Sequence, residues 1–229
     1  MTVSQSFQAA AWRRLKKNKG AVFGLLVIGI AVLVAIFAYF LAPDSSPYAN
    51  RIILEIGGEK PGFKQSFIKV KKDKDVASTN FFKQLVSGKE DVYHYVPIIS
   101  QQQKEDSIIV QKYIDEGVSE RQAYDKSQLA TQPIYQSSFL LGTDKYGRDI
   151  LSRLIVGTRV SLSVGLITVI ISLSIGLILG SLAGYFRGRT DNIIMWFINI
   201  IWSIPTLLLV FAITLALGKG FGRYLLLLA

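Results

Sequence analysis

The chain is 229 residues long and 50% hydrophobic, with 26 Lys and Arg against 16 Asp and Glu for a formal net charge of +10. So apolar a composition excludes a disordered chain and an ordinary soluble domain. The charge is not arranged as a nucleic-acid groove either: residues 1–20 hold five bases and no acid, residues 43–159 hold 17 bases and 15 acids, and the run between holds none. That is the distribution of a polytopic protein in a lipid bilayer, and with no cysteine in the chain, disulfides and thiolate metal sites are excluded as well.

Residues 1–20 form a basic tail, in which Arg13, Arg14, Lys16, Lys17 and Lys19 crowd the first apolar run and place the N-terminus in the cytoplasm by the positive-inside rule. Residues 21–42 are 22 consecutive uncharged positions; as a helix they reach about 33 Å, enough for a hydrocarbon core of about 30 Å. Phe40 stands where a cleavable leader would need a small side chain, so the run reads as a retained span.

Residues 43–138 carry most of the charge and the only histidine, and read as a small water-facing insertion of α/β type. The stretches Arg51 to Ile56 and Val92 to Val96 have strand-like β-branched and aromatic content, while Ile108 to Leu129 reads as one or two polar helices. The lysines between Lys69 and Lys74, mixed with Asp73 and Asp75, read as a solvated face. His94 sits between two tyrosines without a second histidine, and reads as a packed or surface residue rather than a metal ligand.

Residues 139–159 are the most informative stretch. Gly142 and Gly147 permit turns of positive φ, Asp144 or Asp149 can accept from free amides at a helix start, and Thr143, Arg148, Ser152 and Arg153 complete a dense polar motif. From Asp149 onward Ile150, Leu151, Leu154 and Ile155 recur at helical spacing, which predicts a short amphipathic helix lying in the headgroup region before the chain turns into the bilayer. The spacing from Gly142 to Gly147 is that of a phosphate-binding loop, but Arg148 and Asp149 stand where lysine and a hydroxyl residue are required, so the chain is not itself an NTPase.

Further uncharged runs cover residues 160–186 and 192–218 and are long enough to cross a bilayer with tilt. In the former, Gly176, Gly180 and Gly184 recur every fourth residue, a stripe that lets another helix approach closely in lipid. In the latter, Pro205 frees a carbonyl near Ile201 and kinks the helix, while Asn199 and Ser203 place polar groups at membrane depth, either lining a pathway or bonding a neighbouring helix. Asp191 reads as the cap of this run, and the residues from 224 read as the start of a fourth span.

The string LGTDKYGRDILSRLIVGTRVSLSVG, followed by GYFRGRTDN and IIWSIPTLLLV, resembles the C-type permease subunit of bacterial oligopeptide/dipeptide and nickel ABC importers, loosely over residues 11–42 and closely over 139–229. The resemblance implies an all-α polytopic helical permease of the bacterial inner membrane, with the insertion added. It implies one half of a translocation pore, made with a homologous permease subunit and working by alternating access. Cytoplasmic ATPase subunits power that pore, and an external substrate-binding protein delivers peptide to it. In that scheme the chain supplies no catalytic, cofactor-binding or metal-binding residue. Two departures stand out: the insertion is longer than the family usually carries, and the family's cytoplasmic coupling loop, with its glutamate-alanine-alanine signature, is absent, so the chain reads as an N-terminal portion. The rival reading is a membrane-anchored sensor or adhesion protein acting through the insertion. A standalone channel would need a filter or charged ring, and an intramembrane enzyme a base-adjacent nucleophile or paired carboxylates; neither pattern is present.

Overall fold

The computed structural model describes residues 7–72, 80–104 and 106–217, in two compact units that meet in sequence at Arg159 and Val160. In the first unit, helix α1 (Phe7–Lys17) is separated from α2 (Lys19–Ile36) at Asn18, whose side chain accepts from the Ala21 amide and so caps the second helix. A single turn, α3 (Ala38–Leu41), continues α2 after a local distortion at Phe37, where the Leu33 and Phe37 carbonyls still find amide partners. The helix α2 is apolar all round and almost wholly exposed in the isolated chain, as lipid-facing helices are.

The insertion is built on an antiparallel sheet of five strands, β1 (Phe63–Lys71), β2 (Tyr93–Gln103), β3 (Ser107–Asp115), β4 (Val118–Asp125) and β5 (Leu129–Phe139), in the order β4-β3-β2-β1-β5. One short helix, α4 (Phe81–Ser87), lies between β1 and β2. Alternate strand positions feed different clusters. Ile68, Ile98, Ile108, Val110 and Leu129 pack together on one side, while Phe67 and Phe139 pack with Ile53 and Ile56 of the preceding segment on the other. Phe67 and Ile68, neighbours in sequence, are both fully buried, each in its own cluster; complete burial of such a side chain stabilises by roughly 1.5–3 kcal/mol.

Two expectations for this region are corrected. Ile108 to Leu129 does not form the expected polar helices: it holds most of β3 and all of β4, joined across Glu116 and Gly117 by a two-residue turn in which Gly117 has φ +79°, so this part of the α/β-type insertion is sheet, and the five-stranded sheet departs from an all-α fold. Arg51 to Ile56 is not a strand but an irregular segment ending in a 3-10 turn at Leu54–Ile56. Val92 to Val96 does fall at the start of β2.

Helix α5 runs without interruption from Ile150 to Phe186, 37 residues or about 56 Å, and there is no turn between a headgroup helix and a spanning helix. Near its start Ser152 and Val156, one turn apart, are the buried positions, while Leu154 is exposed. In the second unit, Arg187 and Gly188 both take positive φ and turn the chain into α6 (Gly188–Ser203), with Asp191 inside the first helical turn rather than at the cap. Pro205 does more than kink the third run, since α6 and α7 (Thr206–Leu217) are bent by 90° across Ile204 and Pro205. The Ile201 carbonyl freed by the proline accepts from the Ile204 amide at 3.3 Å instead. Among the described residues two helices are long and apolar enough to cross a bilayer, or three if the bent pair counts as one span. The expected fourth span at residue 224 lies outside the described residues.

Candidate functional site

The motif between β5 and α5 is a joint. Thr143 and Asp149 pair across a one-bridge loop, the Asp144 amide donates to the Arg148 carbonyl, and the Gly147 amide donates back to the Asp144 carbonyl. Two glycines make this possible, with φ +75° at Gly142 and +70° at Gly147. A methyl group on Gly142 would overlap the Glu59 carbonyl and one on Gly147 the Ile53 carbonyl, so both positions need glycine for space as well as for conformation.

Polar groups of the motif then tie the loop both to itself and to distant parts of the chain. The Thr143 hydroxyl accepts from the Glu59 amide at 2.9 Å and donates to the Ile56 carbonyl, and the Ile53 amide donates to the Tyr146 carbonyl at 3.1 Å. The Asp144 carboxylate accepts from the Tyr146 and Arg148 amides and from Arg148 Nε at 2.8 Å, with Arg153 at 3.9 Å. Arg148 stacks on Tyr146 and donates onward to Asn50. Burial, the largest single influence on Asp144, opposes its ionisation, but the Arg148 guanidinium and the two amides outweigh it and hold the carboxyl below its ordinary value.

Asp149 caps α5. Its Oδ2 accepts from the Ser152 amide at 2.9 Å and from the Ser152 hydroxyl, whose oxygen in turn accepts from the Asp44 amide at 2.8 Å. Asp44 lies three residues beyond α3, so this chain of bonds connects the end of the first apolar helix to the start of α5. Beside it, Val156 packs with Ala38, Tyr39, Ala42 and Ala49.

Asp44 also anchors a second group of charges. Its carboxylate accepts from the Ser46 and Arg51 amides, and Arg51 forms a bidentate pair with Asp91 at 2.7 Å while lying over the Tyr95 ring at 4.1 Å. Burial, the dominant influence, disfavours the Arg51 charge; Asp91 and Asp44 reverse the balance and raise its pKa. A cavity of about 20 Å³ between Asp44, Arg51, Tyr95, Tyr135 and Asp149 has room for about one water molecule.

Chemically, this arrangement holds parts together. The sequence-predicted residues Gly142, Thr143, Asp144, Gly147, Arg148, Asp149 and Ser152 are brought into one hydrogen-bonded unit, with Arg153 at its rim. Asp44, Asn50, Arg51 and Asp91 complete it and were not anticipated; lying up to 108 positions away, they carry no local signal of the pairing. His94 is exposed on β2, and among the described residues no group of three or more carboxylates and histidines is placed to hold a metal ion. On α5, nothing among the described residues beyond the helix's own backbone lies within 4 Å of a Cβ built at Gly176, Gly180 or Gly184, so that stripe is open there. Asn199, Ser203 and Pro205 are all exposed, and the Ser203 hydroxyl bonds back to the Asn199 carbonyl at 2.7 Å.

Long apolar helices interrupted by a polar-jointed sheet domain define a multi-span membrane protein. Residues 6–54 match the family described as the N-terminal TM domain of oligopeptide transport permease C. The dipeptide transport system permease protein DppC of Lactococcus lactis subsp. cremoris (strain MG1363) is 30% identical over 216 residues, which cover 94% of this chain and 51% of that protein. The di/tripeptide transport system permease protein DppC of Pseudomonas aeruginosa (strain UCBPP-PA14) is 47% identical over 106 residues, 42% of this chain and 35% of that one. The oligopeptide transport system permease protein OppC of Bacillus subtilis (strain 168) is 44% identical over 79 residues, 34% of this chain and 26% of that one. No solved structure matches. Over the regions these matches cover, the chain is similar to the permease C proteins of peptide transport systems, and it spans about half the length of the Lactococcus relative. Covering 94% of the chain, the Lactococcus alignment extends across the insertion.

The joint predicts a graded response to added methyl groups. Gly117→Ala, where φ is +79° but space is open, should lose only the roughly 1–2 kcal/mol of the unfavourable backbone region. Gly147→Ala should lose more, because the Ile53 carbonyl must also move, and thermal unfolding in detergent measures the difference. The Asp144 shift has a definite sign. A carboxyl whose folded pKa lies below the ordinary 3.8 stabilises the fold above that pH and loses this contribution as pH falls through the depressed value. Asp144→Asn should therefore lower the unfolding midpoint at neutral pH, with the gap to wild type closing below about pH 4.

Proposed function

We propose that the chain works as the membrane-embedded permease subunit of a bacterial peptide importer, forming one half of a translocation pore by alternating access with a homologous permease subunit. The observation that carries this reading is the alignment with a dipeptide permease along nearly the whole chain. ATP is hydrolysed by separate cytoplasmic subunits, and a substrate-binding protein delivers peptide at the external face. The chain adds no catalytic group to this cycle.

The N-terminus lies in the cytoplasm and the sheet insertion outside, because the five bases before the first span weigh more than the charge of a long segment that translocates regardless. Residues 160–229 begin the transmembrane permease domain. The open stripe of Gly176, Gly180 and Gly184 supports a close approach by a helix of the partner permease, and the 90° break at Pro205, with Asn199 and Ser203 nearby, supports a polar stretch along the pathway. The joint from Gly142 to Arg153 holds the insertion to the α3 end and the α5 start, so that it moves with them as one piece.

Disrupting the gene should abolish uptake of radiolabelled di- and tripeptides while leaving free amino-acid uptake intact. In cells that carry the intact gene with a single cysteine introduced, one at Ser100 should react with an externally added impermeant maleimide and one at Gln5 only after permeabilisation. Unchanged peptide uptake refutes the transport reading, and the reverse labelling pattern refutes the orientation. Gly180→Leu should abolish co-purification with the partner permease without changing the unfolding midpoint of the isolated chain, since the bulk is added to a face the chain itself leaves open.

A further inference from the structure

The short helix α4 has the sequence FFKQLVS, and at about 100° per residue Phe81, Leu85, Phe82 and Val86 fall within one arc of about 140°, with Lys83, Ser87 and Gln84 on the other side. Leu85 is half-buried against the protein, but Phe81, Phe82 and Val86 are 60%, 78% and 59% exposed. Leaving such an aromatic patch in water is unfavourable, and nothing in the rest of the insertion covers it among the described residues.

The helix is held where it stands. Phe81 packs on Phe40 of α3 with ring centroids 5.4 Å apart, the Lys89 amide donates to the Ser45 carbonyl at 2.8 Å, and the Arg159 guanidinium donates to the Leu85 carbonyl. Gly88 ends the helix at φ +76°, and a Cβ there would come within 2.7 Å of the Ser45 carbonyl oxygen and 2.9 Å of the Tyr39 ring. Helix α4 is thus clamped to the end of the first apolar helix.

That end has a definite depth. Lys19 to Leu41 reaches about 35 Å as a helix, a little more than a hydrocarbon core, so Phe40 near its end lies at the boundary of acyl chains and headgroups. Phe37, Phe40 and Leu41 are 45%, 43% and 54% exposed there, and through the Phe40–Phe81 contact their apolar surface is continuous with that of α4. Three further side chains are far too small a patch for a stable protein interface of about 800 Å² per partner, whereas Phe beside aliphatic residues is what the apolar face of a helix at the membrane boundary carries.

We propose that α4 is an interfacial membrane anchor. Phe81, Phe82 and Val86 insert into the acyl-headgroup boundary of the leaflet where the first span ends, Lys83 stays at headgroup level, and the insertion is thereby seated on the lipid surface rather than hanging from its two connections. The inference rests on the reading of Lys19 to Leu41 as a span.

Because the chain has no cysteine, single-cysteine variants report one position each. Ile30→Cys, Phe82→Cys, Val86→Cys and Glu120→Cys in the full chain, carrying an environment-sensitive fluorophore, are placed in nanodiscs of phosphatidylcholine and phosphatidylglycerol. Each is exposed in turn to deep lipid-borne nitroxide, shallow lipid-borne nitroxide and aqueous iodide. Labels at residues 82 and 86 should be blue-shifted and lose intensity to the shallow nitroxide but not to iodide, with the label at residue 30 quenched by the deep nitroxide and that at residue 120 by iodide. If the residue 30 label escapes the lipid quenchers, the span fails and takes the anchor with it. If residue 30 behaves as expected while residues 82 and 86 respond to iodide, the span stands and the anchor is refuted. Protection of residues 82 and 86 from every quencher also refutes it, since protein then covers the face. Agreement between the two α4 labels guards against a local misfold caused by either substitution.

Discussion

The bond from the Asp44 amide to the Ser152 hydroxyl is the point on which the first unit turns. A chain that leaves an apolar helix, builds a sheet of about eighty residues and enters a second apolar helix must return to its point of departure if both helices are to share one bilayer boundary. Ser152 and Asp149 accomplish this by making the cap of α5 and the exit of α3 parts of one hydrogen-bonded group. Val156 and Tyr39 pack directly beside it, so the polar contact is shielded by apolar neighbours and its exchange with water is limited.

Asp44 and Asp149 are buried and the other charges at the centre of the joint partly so, and each has a partner. Arg51 meets Asp91 and Asp44, Arg148 meets Asp144 and Asn50, and no buried side-chain nitrogen or oxygen among the described residues lacks a partner. Removing one member would strand another in a low-dielectric setting, which costs more than the pair itself contributes. The density of the motif therefore reflects satisfaction of a joint rather than preparation of a reaction. An aromatic helix resting on the lipid beside it would add a second point of support.

Some of this was legible in the one-dimensional pattern. Glycines separated by a polar loop and followed by an aspartate at a helix start announce a turn and a cap, and Gly142, Gly147 and Asp149 do those things. The strands β3 and β4 were misread because β4 is an edge strand exposed along almost its whole length, so Val118 to Asp125 shows no inward-outward alternation. Its sequence is rich in residues that suit a polar helix equally well, and only pairing with β3 decides. A local clue did exist in Glu116-Gly117, the two-residue turn of a hairpin. The absence of a turn near Arg159 was not legible, because a helical stripe does not say whether the helix continues.

By itself the sequence determined the solvent. Uncharged runs of spanning length suit a bilayer rather than water, and the position of the basic residues follows from the same cost of placing charge in hydrocarbon. It also determined where the backbone must bend, since proline lacks an amide and only glycine takes positive φ without strain. What the tertiary structure alone decided is which distant residues close the joint and how sharply Pro205 breaks its helix. Pairings such as Asp44 with Ser152 or Arg51 with Asp91 arise from strand order and chain return. They bring together groups whose separation in sequence leaves no local trace.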